Sequence, residues 1–313
     1  MALAQARMVA DQIARVSLFT CEIVIIKTSG DRLSEAPIPE AGGKRLFVKE
    51  LEDALLSERV DIAVHSAKDM PGDLPDGLEI GATLPREEPW DALVLPVREK
   101  GNFPMGGYRL ADVLRELNKR PNVGTSSVRR IAQVRQLLPD ARFSAIRGNI
   151  DTRLRKLDEH HYDALVLAAA GLKRLGLGYR ISVRLPLSIC VPSPAQGAIA
   201  VQCRTAATTS IRQAVDALND PLTSAAVAAE RAVVKALGGG CQMPIGALAR
   251  PTNKDSLELH AIVSSLAGER SLRTMVHGPI GEATSLGERA GAQLLAEGAA
   301  DILEELSVDS SSE

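Results

Sequence analysis

The sequence predicts an α/β protein with two sheet-containing lobes about a cleft and a small α+β domain at its C-terminal end. Three observations predict this. Short β-branched runs alternate with helical patterns, as in strand–helix units with parallel sheets. The run DALVL occurs twice, at Asp91–Leu95 and Asp163–Leu167, with no longer repeat around it, which suggests two similar blocks. Past Asp220–Pro221 the composition changes to an Ala-rich helix, a glycine run and two strand-like runs. A length of 313 residues suits two or three domains at roughly 150 residues each.

The elements follow in order. Residues 1–16 (MALAQARMVADQIARV) read as an amphipathic helix, with no apolar core and cleavage site of a signal peptide. Glu22–Lys27 is a β-branched strand and Leu46–Ser57 a helix. Strands are expected at Asp61–His65, Leu78–Ala82 and Asp91–Leu95, then a helix at Leu110–Asn118. A short strand runs into Gly124 before a helix at Ser126–Leu138. Arg142–Ile146 and Asp163–Leu167 are strands around a helix at Ile150–His160. VPSPAQG (Val191–Gly197) breaks the pattern, and Ala198–Cys203 is a strand, with a helix at Ile211–Leu218. A long helix, Thr223–Leu237, leads to Gly238-Gly239-Gly240-Cys241, strands at Leu257–Ser264 and Ser271–His277, and a final helix with an acidic tail. The domain boundaries drawn from this are residues 1–97 with 194–217, residues 98–193, and residues 218–313.

Composition excludes several classes. Lys plus Arg total 37 and Asp plus Glu 39, a net charge of -2, which argues against electrostatic coating of nucleic acid. One Trp, three Tyr and four Phe leave too few rings for a base-stacking platform. No apolar run approaches the roughly 18 residues of a membrane span. Cys21, Cys190, Cys203 and Cys241 are far apart, so neither a metal knuckle nor a disulfide scaffold is indicated, and a reducing, cytoplasmic compartment is expected.

Four places could carry chemistry. DIAVHSAKD (Asp61–Asp69) delivers Ser66, Lys68 and Asp69 to the carboxyl end of a strand, where α/β sheets bind ligands. An isolated SxKD is commonly a solvated turn, but a carboxylate beside an ammonium there could stabilise a cation or move a proton. His65 reads as a satisfied core histidine. In VGTSSVRR (Val123–Arg130), Thr125, Ser126 or Ser127 can cap a helix whose first turn carries Arg129 and Arg130. Cations there oppose the helix dipole unless an anion compensates, so the segment reads as an anion site. In AIRGNIDTRLRK (Ala145–Lys156) a second strand end supplies Arg147, with Arg153 in the helix that follows. Residues 121–156 hold eight Lys or Arg against two acids. Arginine forks at two strand ends on one side of a sheet suit a substrate with several carboxylates, and Arg174 could add to them. At Gly238–Cys241 three glycines allow close approach of a ligand to a cysteine. The other three cysteines lie in or beside apolar runs and read as small buried hydrophobes.

These segments carry a family resemblance. GGKRLFVKELEDALL (Gly42–Leu56), HSAKD (His65–Asp69), GTSSVRR (Gly124–Arg130), RGNIDTRLRKL (Arg147–Leu157), LAAAGLKRLGL (Leu167–Leu177), PAQGAIAVQCR (Pro194–Arg204) and GGGCQMPIGA (Gly238–Ala247) fall in order over nearly the whole chain. They strongly resemble the porphobilinogen deaminase (hydroxymethylbilane synthase) family. The resemblance implies two periplasmic-binding-protein-like lobes plus a third domain, and a transferase that joins four porphobilinogen molecules into hydroxymethylbilane with release of ammonia. It implies a dipyrromethane cofactor tethered to Cys241, with Asp69 catalytic. It further implies carboxylates held by Ser66, Lys68, Thr125, Ser127, Arg129 and Arg130 on the cofactor side and by Arg147, Arg153 and Arg174 on the substrate side. A monomer with no nucleic-acid or membrane partner and no metal is expected. Loss of ammonia leaves a cationic azafulvene, which an ionised Asp69 would stabilise.

Two departures accompany the resemblance. The family begins with a strand and an Arg- and Ser-containing segment, whereas this chain starts inside the helix that follows, at Met1–Ala4. The first lobe is therefore expected to lack its opening strand, to expose an apolar sheet edge and to have weak or absent activity. Arg45 stands where the family usually has Gly after GGK, in a loop that covers the site. The competing reading is a non-catalytic two-lobed binding module for small carboxylates, which would have no use for Cys241 or Asp69.

Overall fold

The computed structural model describes residues 1–26, 45–97, 109–238 and 243–309. Along the chain these form α1 (Ala2–Val16), α2 (Arg45–Leu56), β1 (Ile62–Ser66), β2 (Leu78–Thr83), β3 (Asp91–Val94), α3 (Leu110–Glu116), β4 (Asn122–Gly124), α4 (Val128–Arg135) and β5 (Arg142–Ser144). Then follow α5 (Ile150–Asp158), β6 (Ala164–Ala168), α6 (Ala169–Arg174), β7 (Val183–Arg184), β8 (Ile199–Arg204), α7 (Thr209–Asp216), α8 (Pro221–Ala236), β9 (Ile245–Pro251), β10 (Ser256–Ser264), β11 (Ser271–Pro279), α9 (Ala283–Ala296) and α10 (Ala299–Asp309).

Among the described residues the strands form three sheets, ordered β1–β8–β2, β5–β4–β6–β3–β7 and β11–β10–β9. The expected parallel sheets are only partly present. β4 runs parallel to β5 and β6, but β3 is antiparallel to β6 and β7, and β8 is antiparallel to both β1 and β2. The reason lies in two crossings. After β2 the chain leaves the first sheet and inserts β3 into the second; after β7 it returns and inserts β8 between β1 and β2. Each inserted strand enters against the direction of its neighbours. Asp91–Val94, expected in the first block with residues 1–97, therefore belongs to the second sheet.

After the opening Asp, each DALVL run is apolar because both faces of its sheet are covered. From β6, Ala164 and Val166 join one cluster with Leu93, Val123 and Val134. Leu165 and Leu167 join another with Val94, Ile146, Leu154 and Leu172. Side chains alternate across a strand, so consecutive residues serve opposite cores.

Glu22–Lys27 does not match its expected strand. Residues 22–26 form none, and Lys27 lies outside the described residues. Val24 and Ile25 are exposed, and a β-branched run becomes a strand only where a partner supplies the ladder. For the same reason Cys21 is exposed, while Cys190 and Cys203 are buried as expected. The loop Gly42–Lys44 and the side chain of Arg45 also lie outside the described residues.

In the C-terminal unit α8 and α9 pack on the antiparallel β9–β10–β11 sheet. Their contact depends on Gly287, where a Cβ would stand 2.1 Å from the Ala229 carbonyl oxygen and 2.6 Å from the Ala232 Cβ. Gly287→Ala would gain about 1 kcal/mol in helix propensity but incur about 1–3 kcal/mol or more from overpacking. The expected outcome is a lower urea midpoint; a raised midpoint would rule out the close helix contact.

Candidate active site

The first sheet contributes the end of β1. Ser66 closes that strand, and a single 3-10 turn, Ala67–Asp69, follows. Lys68 is half-buried and Asp69 exposed. Ser66 exchanges hydrogen bonds with the buried Gln5 of α1: Gln5 Nε2 donates to Ser66 Oγ at 2.9 Å, and the hydroxyl lies 3.1 Å from Gln5 Oε1. Ser66 and Asp69 also border a cavity of 880 Å³, whose other walls include the apolar side of α1 and residues 19–26.

The second sheet contributes the β4–α4 loop. Ser127 caps α4 by accepting from the Arg130 amide at 3.4 Å, and Thr125 Oγ1 accepts from the Ser127 amide at 3.2 Å. Ser126 Oγ donates to the Ile146 carbonyl and accepts from the Ile146 amide. This stitches the β4–α4 loop to the β5–α5 loop, so the two arginine-bearing strand ends form one wall.

The sequence left open which anion compensates the cations at the α4 N-terminus. The protein itself supplies one, Asp91 at the start of β3, with no exposure. Arg129 Nη1 donates to Asp91 Oδ2 at 2.7 Å and to the Val191 carbonyl at 2.7 Å. Arg130 Nε donates to Asp91 Oδ1 at 2.9 Å, and its Nη1 to the Val166 carbonyl at 2.9 Å. Burial alone would raise the Asp91 carboxyl, but Arg129 and Arg130 overrule it and hold it well below the usual carboxylate range.

Gln196 joins the two walls. Its Oε1 accepts from Lys68 Nζ at 3.3 Å and from Arg130 Nη2 at 3.5 Å, and its Nε2 donates to Asp91 Oδ1 at 3.0 Å. Among the described residues, Lys68, Arg129 and Arg130 thus share one hydrogen-bonded group with Asp91. Burial pushes the Lys68 ammonium down to about 8; Asp69 pulls it back up, and Arg130 pushes it further down. Among the described residues Asp91 is the carboxylate hydrogen-bonded within this group, and Asp69 lies near enough to Lys68 to favour its charged form.

Two more predicted residues, Arg153 and Arg174, lie beside this centre. Arg153, on α5, donates from Nε to the Gly148 carbonyl at 2.7 Å; burial and then Arg130 lower its pKa. Arg174 donates from Nη2 to the Gly197 carbonyl at 2.6 Å, and its Nε is buried with no hydrogen-bond partner. Arg147 is exposed in the β5–α5 loop. Cys241 lies outside the described residues, which stop at Gly238, φ +62°, and resume at Met243.

Sequence reasoning missed Asp91, Gln196, Gln5 and Glu230. The available signal was an Asp opening an apolar strand buried on both faces, since such a carboxylate must be paired. Glu230, in α8 and fully buried, accepts from both Nη atoms of Arg86 at 2.5 and 3.0 Å, from the Ala195 amide at 2.5 Å and from the Ala249 amide at 2.7 Å. It ties the helix that precedes Cys241 to both crossings between the sheets.

Fold and site together define an α/β protein with a cation-rich group at the ends of two sheets and a carboxylate, Asp69, at a neighbouring strand end. Comparison with known proteins gives the particular family. The family model described as "Porphobilinogen deaminase, dipyromethane cofactor binding domain" matches residues 1–212, and "Porphobilinogen deaminase, C-terminal domain" matches residues 224–296. Curated porphobilinogen deaminases are similar over most of their length. That of Syntrophobacter fumaroxidans is 43% identical over 91% of this chain and 87% of its own, and that of Moorella thermoacetica 44% over 93% and 88%. That of Desulforudis audaxviator is 43% identical over 97% and 94%. This chain belongs to the porphobilinogen deaminase family, transferases of tetrapyrrole biosynthesis that polymerise porphobilinogen. Among solved structures, the Bordetella pertussis BvgS VFT2 domain aligns at 16% identity and a TM-score of 0.38, over 69% of this chain and 76% of that one; that similarity is too low to bear on function.

Two outcomes are expected. Asp91→Asn removes the charge that balances two buried guanidinium groups, and should lower stability in urea by about 3 kcal/mol or more; an unchanged midpoint would contradict the pairing. His65 Nε2 lies 2.9 Å from Gln202 Oε1, and burial holds the ring down to about 4 against a smaller upward pull from Gln202 and Asp69. The unfolded ring takes a proton near pH 6.5 while the folded ring does not until about 4. Stability attributable to His65 is therefore complete above pH 6.5 and lost as pH falls toward 4, by about 2–3 kcal/mol between pH 7 and 4.5. His65→Gln should flatten that slope in unfolding titrations; an identical slope would refute the buried neutral ring.

Proposed function

We propose that the cation group at the end of β1 and the start of α4 binds the carboxylates of the dipyrromethane cofactor and of the growing pyrrole chain, and that Asp69 is the catalytic carboxylate. One observation carries this reading: Arg129 and Arg130 pair with the buried Asp91, and Gln196 links Arg130 to Lys68, so that three cations from both sheets lie side by side. Each porphobilinogen brings two carboxylates, an acetate and a propionate, and a polymer of four accumulates them. The orphaned buried Nε of Arg174 is a further donor suited to an anion, so the residues fit the group.

The cofactor, when bound, supplies the pyrrole α-carbon from which the chain grows. The protein's own residues bind, orient and stabilise. Cys241 anchors the cofactor by a thioether and need not act as a nucleophile in each turnover. Ser66, Lys68, Thr125, Ser127, Arg129 and Arg130 hold its side, with Arg129 acting through Asp91. Arg147, Arg153 and Arg174 take the carboxylates of incoming substrate. Asp69 stands at the strand end, exposed to the cleft, where its carboxylate stabilises the positive charge that develops as ammonia departs.

The same reading extends to organisation. Residues 1–83 with 199–217 form one lobe, residues 91–190 the second, and residues 218–309 the third unit, joined at the crossings around Arg86 and Gln196. The chain acts as a monomer in the cytoplasm. No helix among the described residues is long and apolar enough to cross a membrane.

Intact mass spectrometry after incubation with porphobilinogen tests the reading. A covalent dipyrromethane adduct should form on the parent chain and be lost in Cys241→Ala. Asp69→Ala should lose turnover by about a hundredfold or more, the scale of a positioned acid–base group. An unmodified parent chain, or normal turnover in Asp69→Ala, would return the protein to the binding-module reading.

A further inference from the structure

Gln196 is 1% exposed and makes four side-chain hydrogen bonds. Its oxygen accepts from Lys68, which follows a strand of the first sheet, and from Arg130, on a helix of the second. Its nitrogen donates to the Pro89 carbonyl at 2.7 Å and to Asp91 Oδ1 at 3.0 Å. The carboxamide therefore bridges the cation that each lobe contributes.

The backbone that presents it is held in an uncommon shape. Ala195 has φ +61° and Gly197 φ +88°. A Cβ on Gly197 would stand 2.3 Å from the Glu87 carbonyl oxygen, so only glycine fits. An alanine in the left-handed region persists where its surroundings over-determine it. Here the Ala195 amide donates to Glu230, the Gln196 carbonyl accepts from Arg86 Nε at 2.8 Å, and the Gly197 carbonyl accepts from Arg174. Three successive residues are pinned, with Gln196 at the centre.

An acceptor between two cations could be a carboxylate or a carboxamide, and the surroundings distinguish them. A carboxylate would set a second oxygen against Asp91 Oδ1 and the Pro89 carbonyl, where the amide nitrogen now donates. It would also cancel one of the cations. The carboxamide satisfies all four partners and carries no charge, so it holds Lys68 and Arg130 without setting a further carboxylate beside them.

We propose that Gln196 is a positioning residue of the carboxylate site: its neutral carboxamide sets the spacing of Lys68 and Arg130 for one ligand carboxylate without neutralising either. The proposal rests on the site reading given under the proposed function. The test is calorimetric titration of porphobilinogen into the full chain carrying Cys241→Ala, so that no covalent step accompanies binding, with thermal unfolding of each variant. In that background Gln196→Glu should weaken binding about tenfold or more, the scale of one charged hydrogen bond. Gln196→Met, which loses the bridge but adds no charge, should weaken it less. Equal affinities in all three chains would overturn the proposal. So would losses that merely follow the drop in melting temperature, as a structural role alone requires. If Gln196→Glu does not fold, Gln196→Asn, which keeps the amide but shortens its reach, must weaken binding at an unchanged melting temperature. A Cys241→Ala chain with native Gln196 that binds no porphobilinogen would instead sink the site reading itself, whereas binding there and in every Gln196 variant alike would sink only the positioning role.

Discussion

The Asp91 carboxylate lies with no exposure between Arg129 and Arg130, and its second-sheet strand begins at that residue. Removing a carboxylate and two guanidinium groups from water is costly, and only close pairing with good geometry offsets it. The geometry here is supplied from four directions: β3 brings Asp91, the first turn of α4 brings the arginines, the Val191 and Val166 carbonyls take further donors, and Gln196 closes the remaining side. None of these groups can shift alone without leaving a buried charge unmatched. This mutual pairing holds the two arginines in place against β3 and the Val191 and Val166 carbonyls.

A second buried carboxylate does for the domain arrangement what Asp91 does for the wall. Glu230 projects from α8 and receives Arg86 and two backbone amides, one from the turn beside Gln196 and one from β9. Arg86 in turn reaches the Gln196 carbonyl. The helix that leads into the cysteine loop is thus fixed to the same two crossings that join the sheets. One continuous hydrogen-bonded path runs from Lys68 through Gln196 and Arg86 to Glu230 on α8.

Much of the fold was legible in the sequence. β-Branched runs and helical periodicity located most elements, and the doubled DALVL marked strands covered on both faces. Strand direction was not legible. Periodicity reports which faces of a strand are buried, and it is blind to the order in which strands enter a sheet, so β3 was assigned to the wrong block and the β8 ladders were expected to be parallel. The Glu22–Lys27 run shows the same limit from the other side: its residues favour a strand, yet residues 22–26 form none.

By itself the sequence determined the family, the candidate acid Asp69 and the arginine-rich strand ends, because these lie in contiguous motifs whose residue types already imply their chemistry. Only the tertiary structure decided what balances those arginines and what spaces them. Asp91 and Arg130 are 39 residues apart, and Arg130 and Gln196 66. Pairings over such separations leave no local pattern. They exist because two chain crossings bring a carboxylate and a carboxamide into one buried volume, where an unmatched charge is too costly to leave.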